Sequence, residues 1–169
     1  MRTTFRLLTA FTALSLLFTQ CRDARIVKGN QAPEFIAKSI DGNEVRLSYY
    51  RGKIVVVLFW ASCCTDFTVA FPRLQNAYQE LMSDDFVLLT VNVGETKPIA
   101  KFAANLQGIK FPILLDEQSE IAKLYAITSI PVGFIISKDG KVADKILGWP
   151  SQEYLRNSIN RLRSEGKDR

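Results

Sequence analysis

The hydrophobic positions of this chain change period several times, and each change marks an element. Ile54 to Trp60 is apolar at every position and rich in β-branched residues. A run of that length without alternation fits a central strand buried on both faces. From Asp66 to Met82 the residues Phe67, Phe71, Leu74, Tyr78 and Leu81 recur at spacings of three and four, which predicts an amphipathic helix. Pro72 lies inside it, so a kink is expected there. Phe86 to Val93 reads as a second apolar strand. Lys97 to Leu106 reads as a helix, with Pro98 in its first turn and Gly108 as its stop. Phe111 to Leu115 is a short strand, and Glu117 to Tyr125 a helix with Ile121, Leu124 and Tyr125 on one face. Val132 to Ser137 and Lys141 to Leu147 are strands around Asp139-Gly140. Ser151 is placed as the N-cap of a last helix ending at Leu162.

Ahead of these elements, Phe35 to Ile40 and Glu44 to Leu47 are short strand-like pieces joined by the turn Asp41-Gly42-Asn43. The order predicts an α/β fold. A central mixed sheet with a parallel core is flanked by helices, with a terminal antiparallel hairpin and an N-terminal β-hairpin extension.

The first stretch has a different character. Arg2 and Arg6 precede the apolar segment Leu7 to Phe18, which ends in Leu17-Phe18-Thr19-Gln20-Cys21. This reads as a signal peptide over residues 1–20, not as part of the fold. Its end is similar to a bacterial lipobox, with Gln20 where a small residue is usual. That makes Cys21 the expected lipidation site, residues 21–28 a tether, and residues 29–165 the domain. Cleavage elsewhere, or an uncleaved anchor, would also export the chain. The expected location is the extracytoplasmic cell envelope, in the periplasm or on the outer face of a bacterial membrane, with the domain tied to a lipid surface.

Composition narrows the chemistry. With 22 Lys and Arg against 17 Asp and Glu the net charge is +5, and the basic residues are scattered. No run suggests a nucleic-acid partner. The chain has no histidine, which removes His bases, Cys–His and Ser–His dyads and His metal ligands together. No metal-ligand cluster appears in the sequence, and no cofactor is expected. Asp116, Glu117 and Glu120 read as solvated charges at a helix start.

What remains for catalysis is a thiol, carboxylates or the backbone. The segment Phe59-Trp60-Ala61-Ser62-Cys63-Cys64-Thr65-Asp66-Phe67 joins the buried strand to the helix. A cysteine at such a junction sits near unpaired helix N–H groups, which lower a thiol's pKa. Asp66 opposes this if its carboxylate faces the sulfur. Cys63 is expected to be a small, partly buried filler.

An ordered set of motifs then resembles the TlpA/ResA-type thiol–disulfide oxidoreductases of the thioredoxin superfamily, within the AhpC/TSA-related redoxins. Ala32-Pro33-Glu34-Phe35, Gly52-Lys53 followed by Ile54 to Ser62, Val91-Asn92-Val93-Gly94-Glu95, Phe111 to Asp116, Leu124 to Ile127, Ile130-Pro131 and Lys138 to Val142 carry it. The resemblance implies a thioredoxin-like fold and a catalytic thiol at Cys64. It also implies site-wall or substrate-binding roles for Trp60, Cys63, Phe67, Ile130 and Pro131, with Pro131 in the position that is cis in this fold. The family's second cysteine falls at Phe67, and a glutamate common before its Phe-Pro falls at Ala70. The active site is therefore a degenerate Cys-x-x-Phe. The implied partners are exported protein thiols or disulfides and an external thiol reductant. Two other functions fit the same residues. One is a non-catalytic module that binds extended peptides near Pro131. The other is a thiol peroxidase, suggested by Ala61-Ser62-Cys63-Cys64.

Overall fold

The protein is described by a computed structural model, over residues 26–64 and 66–166. The expected signal peptide, Cys21 and most of the tether lie outside the described residues.

Seven strands form one sheet in the order β2-β1-β5-β4-β3-β6-β7. The strand β3 (Ile54–Trp60) lies at its centre and is buried at every position. It runs parallel to β4 (Phe86–Val93), which runs parallel to β5 (Ile113–Asp116). On the other side β6 (Val132–Ile136) and β7 (Val142–Leu147) form an antiparallel hairpin against β3. The N-terminal hairpin of β1 (Ile36–Ser39) and β2 (Glu44–Arg46) adds to the far edge through β5. The mixed sheet and both hairpins match the sequence pattern.

The alternating side chains of β3 seed two cores. Ile54, Val56, Leu58 and Trp60 pack with α1 (Phe67–Leu81), the small residues of α2 (Lys97–Leu106) and α4 (Gln152–Glu165). Val55, Val57 and Phe59 pack on the opposite face with α3 (Glu120–Leu124), Tyr125 and the N-terminal Phe35. Each apolar residue of β3 is thus used, which is why the run shows no alternation.

Local differences from the pattern have physical causes. The helix α1 carries Pro72 inside it, where the sequence pattern places it. Asp66, placed in the helix by its periodicity, instead adopts φ +61° ahead of it, a conformation Asp tolerates better than most residues. The helix α3 starts later than its pattern suggests, because Ser119 takes φ +57°. Asp116 is not solvated: it is 5% exposed, and its carboxylate accepts from the N–H groups of Ile121 and Ala122 at 3.1 and 2.8 Å. It caps α3 from the end of β5. Ser151 caps α4 as its sequence suggests, accepting from Tyr154 N–H at 3.1 Å.

Candidate active site

The site is built where β3 ends. Beyond Trp60 the backbone closes a turn, with Cys64 N–H donating to Ala61 C=O at 3.0 Å. Ser62 and Cys63 occupy the turn's two central positions. Both described cysteines are free thiols, but Cys63 is exposed and Cys64 is half-buried. Cys63 is therefore no partly buried filler; it stands at the tip of the turn.

Cys64 Sγ accepts from Ala61 N–H at 3.3 Å. Among the described residues no N–H of α1 donates to the Cys64 sulfur, and α1 begins only at Phe67. Three of the first donors of α1 are spent locally: Phe67 N–H goes to Cys64 C=O, and Val69 and Ala70 N–H go to Asp66 C=O. Burial pushes the Cys64 thiol above its ordinary pKa. The Ala61 hydrogen bond opposes this, while Cys63 and Glu95 add to it. The helix-lowered pKa expected from the sequence is reversed here, since burial outweighs the one backbone donor.

Beneath the thiol lies an aromatic floor. Trp60 is fully buried and stacks on Phe67 at 5.5 Å, with the ring planes 7° apart. Phe71 meets Trp60 at 4.5 Å and Trp149 at 5.3 Å. Phe67 is 7% exposed, so a packed ring occupies the start of α1. Trp60 and Phe67 back the site from below, and Cys64 packs against this cluster.

Glu95 was only one letter of a motif in the sequence, yet it organises the loop. Its carboxylate accepts from Ser62 N–H at 2.9 Å, from Asn92 Nδ2 at 2.6 Å and from Ser62 Oγ. Asn92 is Trp60's register partner on β4, so the clamp ties the cysteine turn to the sheet. The sequence signal was a carboxylate two residues past the C-terminal end of a buried strand, where α/β sheets place their functional groups.

Ile130 and Pro131 are half-buried and joined by a cis peptide bond, as the resemblance implied. Val132 pairs with Phe59, so this segment meets the sheet at the same end as the cysteine turn. A groove of about 490 Å³ lies elsewhere, beside Lys28, Lys138, Lys141 and Arg161. The register of β3 against β6 puts it at the Ile54 end, away from both cysteines. No cysteine lines it. Among the described residues no group of three or more potential metal ligands comes together.

A half-buried thiol after the central strand, an aromatic floor and a cis proline at the same sheet end define a thioredoxin-like thiol domain. The AhpC/TSA family model matches residues 28–145. A curated relative, thiol-disulfide oxidoreductase ResA of Geobacillus thermodenitrificans, is 32% identical over 90% of this chain and 87% of its own. ResA of Bacillus subtilis is 28% identical over 82% of this chain and 77% of its own. Among solved structures, a candidate thiol:disulfide interchange protein DsbE from Chlorobium tepidum superposes with a TM-score of 0.75 at 26% identity, covering 81% of this chain and 98% of that one. StoA from Bacillus subtilis gives a TM-score of 0.66 at 26% identity, over 75% of this chain and 96% of its own. The chain belongs to the AhpC/TSA family, among its TlpA/ResA-type redoxins.

Proposed function

We propose that this protein is an exported thiol–disulfide exchange protein whose reacting sulfur is Cys64. The observation that carries this reading is the free, half-buried Cys64 held by Ala61 N–H at the sheet end shared with Ile130-Pro131. The relatives' names, thiol-disulfide oxidoreductase and interchange protein, support the same chemistry. The Cys64 thiolate attacks one sulfur of a substrate disulfide, forming a mixed disulfide and releasing the other sulfur as thiolate. The substrate backbone lies extended beside Ile130 and Pro131. Phe67 carries no sulfur, so α1 supplies no releasing thiol, and the reducing equivalents for turnover come from a thiol outside the chain. The leader-like segment ending at Cys21 supports a place in the cell envelope, tethered to a membrane.

The test is reaction of the reduced protein with a small aromatic disulfide, with Cys64→Ser as control and hydrogen peroxide as a second arm. Cys64 is expected to form the mixed disulfide, and to do so at least about tenfold faster than it consumes peroxide. An unmodified Cys64 after full reaction of the other thiols contradicts the proposal. Faster reaction with peroxide would assign the thiol to peroxide reduction instead.

A further inference from the structure

The exchange chemistry needs a second sulfur, and the structure presents one beside the first. Cys63 is exposed at the tip of the Ala61–Cys64 turn, adjacent in sequence to the half-buried Cys64. The position three residues on from Cys64 is filled by Phe67, packed flat on Trp60, so no sulfur reaches the site from α1. The only other cysteine of the chain, Cys21, precedes the domain. We propose that Cys63 is the resolving thiol, and that the protein's redox couple is the adjacent pair Cys63–Cys64. This inference rests on the exchange reading of Cys64.

The steps balance without another oxidant. Cys64 thiolate attacks the substrate disulfide and becomes a mixed disulfide, expelling the first substrate thiolate. Cys63, deprotonated to solvent, attacks Cys64 Sγ. The Cys63–Cys64 bond forms, the mixed disulfide breaks and the second substrate thiolate leaves, taking a proton from water. The substrate disulfide is reduced by two electrons and the cysteine pair is oxidised by the same two. An external dithiol then reduces the pair. Neighbouring Cα atoms stand ~3.8 Å apart across a trans peptide, below the ~4.4–6.8 Å that disulfides usually span. The bond therefore closes only with local rearrangement and acts as a transient redox state, not a structural link. The placement favours such movement. Cys63 lies at a turn tip outside any helix or strand, while the Glu95 clamp holds the turn at Ser62.

The test uses the full reduced chain and oxidised glutathione, with acid quenching and mass analysis of the tryptic peptide Ile54–Arg73, which contains both cysteines. Wild type is expected to pass through a glutathione adduct to a peptide lacking two hydrogens, with both glutathione halves released. Cys63→Ser is expected to stop at an adduct on Cys64 that lives at least about tenfold longer. A wild-type adduct on Cys64 that persists as long as the one in Cys63→Ser overturns this inference and leaves the exchange reading standing. Absence of any adduct or internal bond on this peptide overturns both. Cys64→Ser is expected to form no internal bond, and a loss of two hydrogens on this peptide in that variant overturns the assignment of the pair.

Discussion

At the scale of single residues, the sulfur of Cys64 is governed by burial more than by charge. Its thiol is held above the ordinary range of ~8.5 because the half-buried site resists a thiolate and Glu95 and Cys63 add to the cost. The pH profile of Cys64 alkylation should therefore inflect above that of an unstructured cysteine peptide. An inflection at or below the peptide's would contradict the burial argument. Glu95 allows a sharper check. Its carboxylate raises the thiol's pKa, so Glu95→Gln should move the inflection to lower pH. An unchanged or raised inflection would mean that Glu95 acts only as a clamp. The clamp made by Glu95 and the direction of the Cys64 shift were not legible from the sequence alone. The motif put Cys64 just past the strand end, but its pKa follows from burial and from Ala61, Cys63 and Glu95 around it, which a residue pattern does not encode. The exposure of Cys63 likewise follows from its place in the turn, and hydrophobicity patterns do not encode turn orientation.

At the scale of elements, the sequence was informative wherever burial dictated it. The unbroken apolar run became the central strand, and the three-four spacing became the aromatic face of α1. Patterns failed where a polar side chain does structural work. Asp116 looked like a surface charge, yet it is the buried cap joining β5 to α3. A buried carboxylate with two backbone donors is costly to lose, because both N–H groups are then left without their acceptor. Asp116→Ala should lower stability by about 2 kcal/mol, with Asp116→Asn restoring part of it. The measurement is the urea midpoint at constant slope. A loss under ~0.5 kcal/mol would show that the cap is dispensable.

At the scale of the whole molecule, ion pairs fasten α4 and the β6–β7 turn to the body of the fold. Arg156 grips Glu80 of α1 with two hydrogen bonds, at 2.5 and 2.9 Å, joining α4 to α1. Asp85 binds Lys138 at 3.0 Å and Arg163 at 3.0 Å, joining the β6–β7 turn, α4 and the start of β4. Hydrogen bonds from Arg156 and Gln152 hold Glu80 at about 2. Ser137 and Lys141 hold Asp139 at about 2. Burial pushes Asp85 upward, but Ser83, Lys138 and Arg163 together outweigh it and bring it to about 2. These folded-state values lie below the unfolded carboxylate range of ~4. Their stabilisation is therefore present above that range and is lost as pH falls through it toward about 2. The urea midpoint should fall progressively below pH ~5, and Asp85→Asn should flatten that fall. A midpoint constant down to pH ~2.5 would contradict this. All these fastenings lie at the Ile54 side of the sheet or along α4, leaving the Trp60 end to the cysteines and the proline.

The proposed reaction is disulfide exchange at Cys64 on protein substrates. The most direct measurement is the rate at which the protein reactivates a scrambled-disulfide test enzyme in a glutathione buffer, comparing wild type with Cys64→Ser. Wild type should accelerate reactivation, and the variant should lose at least about tenfold of that acceleration. Equal rates for the two proteins would contradict it.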